Sequence, residues 1–224
     1  MPTALIVGAS RGLGLEFARQ YRSDGWDVLG SARDAAGLGA LKALGARALE
    51  LDVLTDGAPE ALEQALQGIT LEVAVVNAGI YGPRTQGLES PSQADFDAVM
   101  HTNVLAAMRL MPRLAAALER GQGRLAVISS RMGSIGERSA TAGWLYRASK
   151  AALNSALKDA SLVLGPRGIT CVALHPGWVR TDMGGQGADI DAPTSVRGMR
   201  SKLAALKPAD QGGFFAYDGS VIRW

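Results

Sequence analysis

Two side chains that could move a proton, Tyr146 and Lys150, stand four residues apart in the alanine-rich run WLYRASKAAL. Alanine, leucine and lysine favour a helix, and residues four apart lie on one helix face. A tyrosine hydroxyl has a pKa of about 10, and a neighbouring cation lowers it. The pair is therefore typical of a general acid, although an ordinary amphipathic helix carries the same spacing by chance.

A second motif, VGASRGLG, places Gly8, Gly12 and Gly14 directly after a short apolar run and before a helical pattern. Glycines in this position let the backbone turn sharply and approach a pyrophosphate, while the helix N-terminus offers free N–H groups. The spacing differs from the common G-x-G-x-x-G, and a plain tight turn is the alternative. The strand–glycine–helix context favours a dinucleotide site.

The identity of the dinucleotide depends on the end of the second strand, which reads SARD. Arg33 stands there, and Arg11 lies within the glycine loop. Two guanidinium groups near one site favour the 2′-phosphate of NADPH. Asp34 either caps the next helix or binds a ribose hydroxyl, which would favour NAD. NADPH is the predicted cofactor, with NAD as the alternative.

The elements that must position these residues alternate along the chain. Helical patterns cover 92–120 and 145–164, and Gly165 and Pro166 end the second of them. Such alternation predicts one α/β domain over residues 1–224, a parallel sheet with helices on both faces. Residues 183–206 are the least regular and are predicted to be a substrate loop with one or two short helices near its end. The predicted strands are Ala4–Gly8, Asp27–Arg33, Ala46–Val53, Leu71–Gly79, Gly123–Ser130, Gly168–Gly177 and Gly212–Gly219.

Composition excludes several other classes of protein. The net charge of +2 is spread along the chain without a basic block, which argues against nucleic-acid binding. The single cysteine, Cys171, permits no internal disulfide, and no apolar run is long enough to span a membrane. Without a recognisable leader, a cytoplasmic location is expected. No ligand cluster surrounds His101 or His175, so no metal site is predicted.

Seven motifs stand in order: GASRGLG (8–14), LDV (51–53), VNAG (76–79), HTNV around Asn103, VISS ending at Ser130, YRASK (146–150) and HPGWVRTDM (175–183). This set resembles the short-chain dehydrogenase/reductase family over most of the chain, and the closing residues resemble its carbonyl-reductase branch. The resemblance implies a Rossmann fold with strand order 3-2-1-4-5-6-7. It also implies reversible hydride transfer from NADPH to an aldehyde, ketone or quinone, giving an alcohol.

The resemblance assigns roles to residues of this chain. It implies catalytic roles for Asn103, Ser130, Tyr146 and Lys150, with Asn103 supporting a water-linked proton path to the lysine. A helix asparagine bound to its own backbone is the alternative for Asn103. The implied cofactor-binding residues are Gly8, Ser10, Arg11, Gly12, Leu13, Gly14, Arg33, Asp52, Val53, Asn77, Ala78, Gly79, Tyr146, Lys150, Pro176, Gly177, Val179 and Thr181.

Three serines are candidates for the residue that polarises the carbonyl. The family's serine often stands about 13 residues before the tyrosine, where this chain has Gly133. Ser130 is favoured because it ends a predicted strand, with the extra residues falling in ERSATAGW. Ser134 and Ser129 are the alternatives, and strand alternation would point Ser129 to the opposite face.

The sequence also offers candidate substrate-facing residues, an implied oligomeric state and alternative functions. Apolar and aromatic residues that could face a hydrophobic carbonyl substrate, or equally belong to core or interface, are Trp144, Tyr81, Met132, Trp178 and Met183. Family members are often homodimers or homotetramers through the two long helices, which implies the same here. The alternative functions are a nucleotide-binding regulatory or signalling protein of the same fold, and an epimerase or dehydratase on an extended version of it.

Overall fold

Seven parallel strands form one central sheet in the computed structural model, which describes residues 1–224. The strands run in the order β3-β2-β1-β4-β5-β6-β7, and each neighbouring pair is parallel. This confirms the α/β fold and the strand order. The strands are β1 Thr3–Val7, β2 Asp27–Ala32, β3 Arg47–Glu50, β4 Val73–Val76, β5 Arg124–Ile128, β6 Thr170–His175 and β7 Gly213–Ala216.

Seven α-helices accompany the sheet, because parallel strands must be joined by crossover connections that return to the same edge. They are α1 Gly12–Ser23, α2 Ala35–Ala43, α3 Ala58–Ala65, α4 Gln93–Met100, α5 Ala106–Gly121, α6 Trp144–Leu164 and α7 Ala192–Ala204. None of these helices combines the length and the apolar character that crossing a membrane requires.

Each face of the sheet has its own hydrophobic core. On one face, leucines of α3, α5 and α6 pack on the strands, with Leu62, Leu114 and Leu157 fully buried. On the other face, α1, α2 and α7 supply residues such as Phe17 and Leu41. Burial on both faces explains why the strands are continuously apolar rather than alternating.

The strands end earlier than the sequence predicts, and the predicted functional residues follow those ends. β3 stops at Glu50, so Asp52 lies in the next turn, where its side chain accepts a hydrogen bond from the Leu54 N–H (3.0 Å). β5 stops at Ile128, two residues before Ser130. Once the ladder ends, the backbone can leave the sheet and aim side chains over its edge.

The predicted helix over 92–120 is two helices joined by a π-helical turn, His101–Leu105. The turn adds one residue per hydrogen-bonded ring and shifts the helix register, a feature often found at functional sites. No breaker residue marks it, since HTNVL contains neither glycine nor proline.

The predicted short helices near the end of residues 183–206 are one 13-residue helix, α7. Asp191 caps it by accepting a hydrogen bond from the Thr194 N–H (2.8 Å), and Val196 and Met199 are fully buried in the core. The sequence does not reveal the full length of this helix because Gly198 interrupts the pattern, and the structure shows that a Cβ at this position would collide with the Tyr217 carbonyl oxygen. The irregular segment between β6 and α7 is therefore limited to residues 176–191.

Candidate active site

A cleft of about 660 Å³ lies at the carboxyl ends of the strands, at the point where the strand order reverses. Open α/β sheets bind ligands at this position, and the volume suits a dinucleotide or a drug-sized molecule. Most of the predicted cofactor-binding residues line it: Gly8, Ser10, Arg11, Gly12, Leu13, Arg33, Asp52, Val53, Asn77, Ala78, Gly79 and Thr181.

The glycine loop packs as closely as the motif predicts. Gly8 has a φ of 81°, and a Cβ there would lie 2.9 Å from the Ala78 backbone. A Cβ on Gly14 would collide with the Gly8 carbonyl oxygen, which already accepts a hydrogen bond from the Asn77 side chain (2.7 Å). Helix α1 has no side-chain N-cap, so its first N–H groups stay available to an anion.

Two arginines at the cleft have different surroundings. Arg11 forms an exposed ion pair with Asp182 (3.0 Å), so it is not the free guanidinium that the sequence analysis assumed. Arg33 lines the cleft at the end of β2 and forms no ion pair in the structure. Asp34 caps α2 by accepting a hydrogen bond from the Gly37 N–H (2.8 Å), which is the capping alternative of the two considered.

Three further predicted residues, Pro176, Gly177 and Val179, lie beyond β6 and do not line the cleft. The Pro176 carbonyl oxygen accepts a hydrogen bond from Ser195 (2.6 Å), which anchors this turn to α7. Gly177 has a φ of 85°, and Val179 bridges Ile190 across the segment. These contacts give the segment a defined shape after the carboxyl end of β6.

The tyrosine at the start of α6 lies beside the favoured serine. Ser130 is held after β5, where its hydroxyl oxygen accepts a hydrogen bond from the Met132 N–H (3.1 Å). The Tyr146 hydroxyl lies close enough to the Ser130 hydroxyl for the serine to lower the tyrosine pKa, and only 7% of each residue is exposed. The long ERSATAGW segment therefore does not prevent the two hydroxyls from meeting.

The two alternative serines bond elsewhere. Ser129 donates to the Asn154 side chain (2.6 Å), and Ser134 donates to the Arg223 carbonyl oxygen (2.5 Å). Both are buried structural contacts. Of the three candidates, Ser130 is the one that lies beside the Tyr146 hydroxyl.

Lys150 and Asn103 meet at the cleft wall formed by Gly79. A Cβ on Gly79 would lie 3.2 Å from Asn103 Oδ1 and 3.4 Å from Lys150 Nζ. The π-helical turn brings Asn103 here, where its side chain exchanges two hydrogen bonds with the Ile80 backbone (2.8 Å each). Asn103 therefore binds a distant backbone segment rather than its own helix. The Lys150 ammonium donates to the Ile128 carbonyl oxygen (2.8 Å).

Burial dominates the acidities of the pair. Burial raises the pKa of Tyr146 well above its usual value, and the nearby Ser130 hydroxyl opposes that shift only in part. Burial also lowers the pKa of Lys150 to about 8. The sequence argument, in which the cation lowers the phenol pKa, omitted this desolvation. The Lys150 Nζ lies 5.6 Å from the centre of the Tyr146 ring, and its hydrogen-bond partner is the Ile128 carbonyl oxygen rather than the tyrosine hydroxyl.

Comparison with known proteins agrees with this geometry. The family model for short chain dehydrogenases matches residues 2–189. The chain belongs to the short-chain dehydrogenase family. It is accordingly an NAD(P)-dependent oxidoreductase of the Rossmann fold.

Members of this family with related sequences include the C-signal of Myxococcus xanthus, 39% identical over 155 residues, which are 69% of this chain and 93% of that protein. A short-chain dehydrogenase/reductase from Burkholderia multivorans with bound NADP is 35% identical, with a TM-score of 0.90 over 100% of this chain and 99% of that one. The carbonyl reductase Sniffer of D. melanogaster is 30% identical, with a TM-score of 0.90 over the whole of both chains. The resemblance to the carbonyl-reductase branch is confirmed.

Sequence reasoning missed several residues of this dehydrogenase/reductase site. Ser31 accepts a hydrogen bond from the Gly8 N–H (3.0 Å) and so holds the glycine loop, and Asp182 forms an ion pair with Arg11. Thr102, on the π-helical turn, also lines the cleft. Of these three residues, only Asp182 could have been found from the sequence, because it lies within the HPGWVRTDM motif. The other two depend on contacts between distant segments.

Proposed function

We propose that this dehydrogenase/reductase reduces an aldehyde, ketone or quinone to the alcohol with NADPH, and oxidises the alcohol in the reverse direction. The observation that carries the proposal is the Tyr146–Ser130 hydroxyl pair, with Lys150 one helical turn on, beside the cleft that begins at the glycine loop. The NADP bound to the Burkholderia relative and the carbonyl-reductase activity named for Sniffer support the same reading.

The chain has residues that fit NADPH. The uncapped N-terminus of α1 and the side-chain-free surface at Gly12 suit a pyrophosphate, since a Cβ on Gly12 would meet nothing closer than 3.6 Å. Arg33 is the free guanidinium for a 2′-phosphate. Asp52 and Val53 lie at the adenine end, and Lys150 lies where ribose hydroxyls would accept its N–H groups. When bound, NADPH supplies the hydride.

The protein side chains then act on the carbonyl oxygen. Ser130 donates a hydrogen bond to that oxygen and so stabilises the negative charge that develops there. Tyr146 donates its proton to the same oxygen. Lys150, when charged, offsets the burial that raises the tyrosine pKa, and Asn103 fixes the Ile80 backbone beside it.

The predicted substrate loop at 183–206, which consists of the end of the irregular segment 176–191 followed by α7, is proposed to cover the substrate. The segment 176–191 carries Trp178 and Met183 as partly exposed apolar residues. Arg84 from the opposite side of the site donates to the Met183 carbonyl oxygen (2.8 Å). The Arg84–Met183 hydrogen bond and the Arg11–Asp182 ion pair that hold the segment across the cleft are both exposed, which suits a segment that opens for a substrate and closes over it.

The test is NADPH oxidation with a panel of aldehydes, ketones and quinones, compared between the natural chain and Tyr146→Phe. We expect turnover by the natural chain and a loss of about 100- to 10,000-fold in Tyr146→Phe, because the proton donor is removed. NADPH binding, measured by thermal protection, should persist in the variant. Full activity of Tyr146→Phe would overturn the proposal.

A second candidate is a nucleotide-binding regulatory or signalling protein, which the name C-signal of the Myxococcus relative supports. It predicts NADPH binding without turnover of any carbonyl in the panel. The preserved Tyr146, Lys150 and Ser130 favour the enzyme, because binding alone does not need a proton donor.

A further inference from the structure

The aromatic ring of Tyr81 lies on the proposed proton donor. Its centre is 4.7 Å from the centre of the Tyr146 ring, and the two planes differ by 22°. Tyr81 follows β4, two residues after Gly79 of the cleft wall. One face of Tyr146 is therefore covered by a second aromatic ring, a contact that the catalytic step described above does not require.

Three segments meet around this ring. Arg84 places its guanidinium carbon 5.0 Å from the centre of the Tyr81 ring. Gly143 has a φ of 66°, and a Cβ there would collide with the Tyr81 hydroxyl and lie 3.3 Å from Met132 Cε. The loop before α6 thus has a glycine where the Tyr81 side chain needs space. The packing of this loop therefore determines the position of the ring.

The Tyr81 ring makes the contacts with Tyr146 and Arg84, whereas its hydroxyl lies against Gly143. No hydrogen bond of the structure uses the Tyr81 hydroxyl. A tyrosine that serves only as an aromatic surface can be replaced by phenylalanine at little cost.

The carbonyl oxygen of a substrate must reach the Tyr146 and Ser130 hydroxyls. The group attached to the carbonyl carbon then lies beside the stacked rings and beside the thioether of Met132. Aromatic faces and a thioether favour flat, unsaturated groups over saturated ones of the same size. We infer that Tyr81 is the specificity-determining residue of this site, and that it selects carbonyl compounds conjugated to a planar aromatic ring.

This inference rests on the proposed carbonyl reduction. A comparison of two aldehydes distinguishes a failure of the inference from a failure of the proposed function. Benzaldehyde and cyclohexanecarbaldehyde share one carbon skeleton and differ in ring planarity and unsaturation. Their intrinsic reactivities differ, so the quantity to measure is the ratio of their kcat/KM values in each variant. Dividing each variant's ratio by that of the natural chain cancels the intrinsic difference.

We expect Tyr81→Leu to lower the benzaldehyde-to-cyclohexanecarbaldehyde ratio about 3- to 10-fold, the range that aromatic contacts supply. Tyr81→Phe should keep the ratio within about twofold, because it retains the ring. Thermal protection by NADPH should be the same in all variants. Tyr81→Met provides a second replacement without a ring if the leucine variant does not fold.

An unchanged ratio in the folded non-aromatic variant, or an equal loss for both aldehydes, would overturn the inference and leave the proposed function standing. Turnover of the saturated aldehyde alone by the natural chain would do the same. Absence of NADPH oxidation with every carbonyl of the wider panel would instead overturn the proposed function, and the inference with it.

Discussion

At the scale of single residues, burial works against both members of the Tyr146–Lys150 pair. The phenol is harder to ionise and the ammonium easier to neutralise, since each charged form loses solvation. Lys150 has one carbonyl oxygen as its hydrogen-bond partner and no carboxylate. Without a ligand, the buried Lys150 ammonium is therefore energetically unfavourable. Hydroxyl groups of a bound ribose would give it further hydrogen-bond partners.

The burial of Lys150 makes the free energy of unfolding depend on pH. The pKa of Lys150 falls from 10.5 to about 8 on folding, so between these values the unfolded chain holds more protons and stability rises with pH. Below pH 8 the full cost, about 3 kcal/mol at most, is present. We expect nucleotide-free Lys150→Met to be more stable than the natural chain at pH 7, with the difference shrinking from pH 8 to 10.

Urea unfolding of both proteins at several pH values measures this difference. The comparison removes the contributions of Cys171 and of the buried Tyr21, whose raised pKa values lower stability equally in both proteins at high pH. A difference that stays constant over the range would contradict a lowered lysine pKa.

Substitutions of Ser130 and Ser134 should have different effects, one on the catalytic rate and the other on the free energy of unfolding. Ser130→Ala removes the hydroxyl beside Tyr146, and we expect kcat/KM to fall about 100- to 1,000-fold with little change in stability. Ser134→Ala breaks buried bonds to the Arg223 carbonyl and the Glu137 N–H, and should cost about 1–3 kcal/mol of unfolding free energy while the catalytic rate persists. The reverse pattern in kinetics and denaturation would assign the role to Ser134.

At the scale of elements, the glycine loop and the π-helical turn position the site from opposite sides. β1 and β4 are aligned so that Val7 pairs with Val76, which brings Gly8 and Asn77 together at the edge of the sheet. The π-helical turn then places Asn103 against the segment that follows β4. Close packing between α1 and β1 is the condition for both arrangements.

Gly14→Ala tests that packing. Its methyl group would collide with the Gly8 carbonyl oxygen and crowd the Asn77 amide, so we expect a loss of about 1–3 kcal/mol and weaker NADPH binding. Gly39→Ala in α2 is the matched control, because a Cβ there meets nothing within 4 Å and alanine favours helix by about 0.5–1 kcal/mol. Thermal unfolding with and without NADPH measures both, and equal effects in the two variants would contradict the close-packing role.

At the scale of the whole molecule, the carboxyl edge of the sheet gathers segments from the entire chain. The Arg11–Asp182 pair joins residues 171 positions apart, beside a cleft lined by residues of β2 and by residues that follow β1 and β4. Assembly beyond one chain stays a prediction. The exposed apolar residues Met108, Leu162 and Val163 on α5 and α6 agree with the helices proposed for it.

Cofactor choice belongs to this scale, because the bound nucleotide determines the melting temperature of the whole complex. We expect NADPH to raise the melting temperature more than NADH at equal concentration, and Arg33→Gln to remove most of that excess. Arg47→Gln is the control, since Arg47 is likewise half-exposed and pairs with Asp27 on the sheet edge. Equal protection of the natural chain by the two nucleotides would contradict the role of Arg33.

The sequence by itself determined the strands, the order of the motifs and the side chains that could carry the chemistry. Strand and helix periodicity is a local property, and the glycine loop and the tyrosine–lysine pair each lie within one short window. Ser130 could be favoured over Ser134 by its place after a strand. That part of the site was therefore predictable residue by residue.

Tertiary structure decided what depends on distant contacts and on solvent exclusion. The π-helical turn, the length of α7, the engagement of Arg11 by Asp182 and the stacking of Tyr81 on Tyr146 arise only once the sheet brings separate segments to one edge. Burial likewise reversed the expected acidity of Tyr146, because desolvation depends on everything packed around the hydroxyl and not on its helix alone.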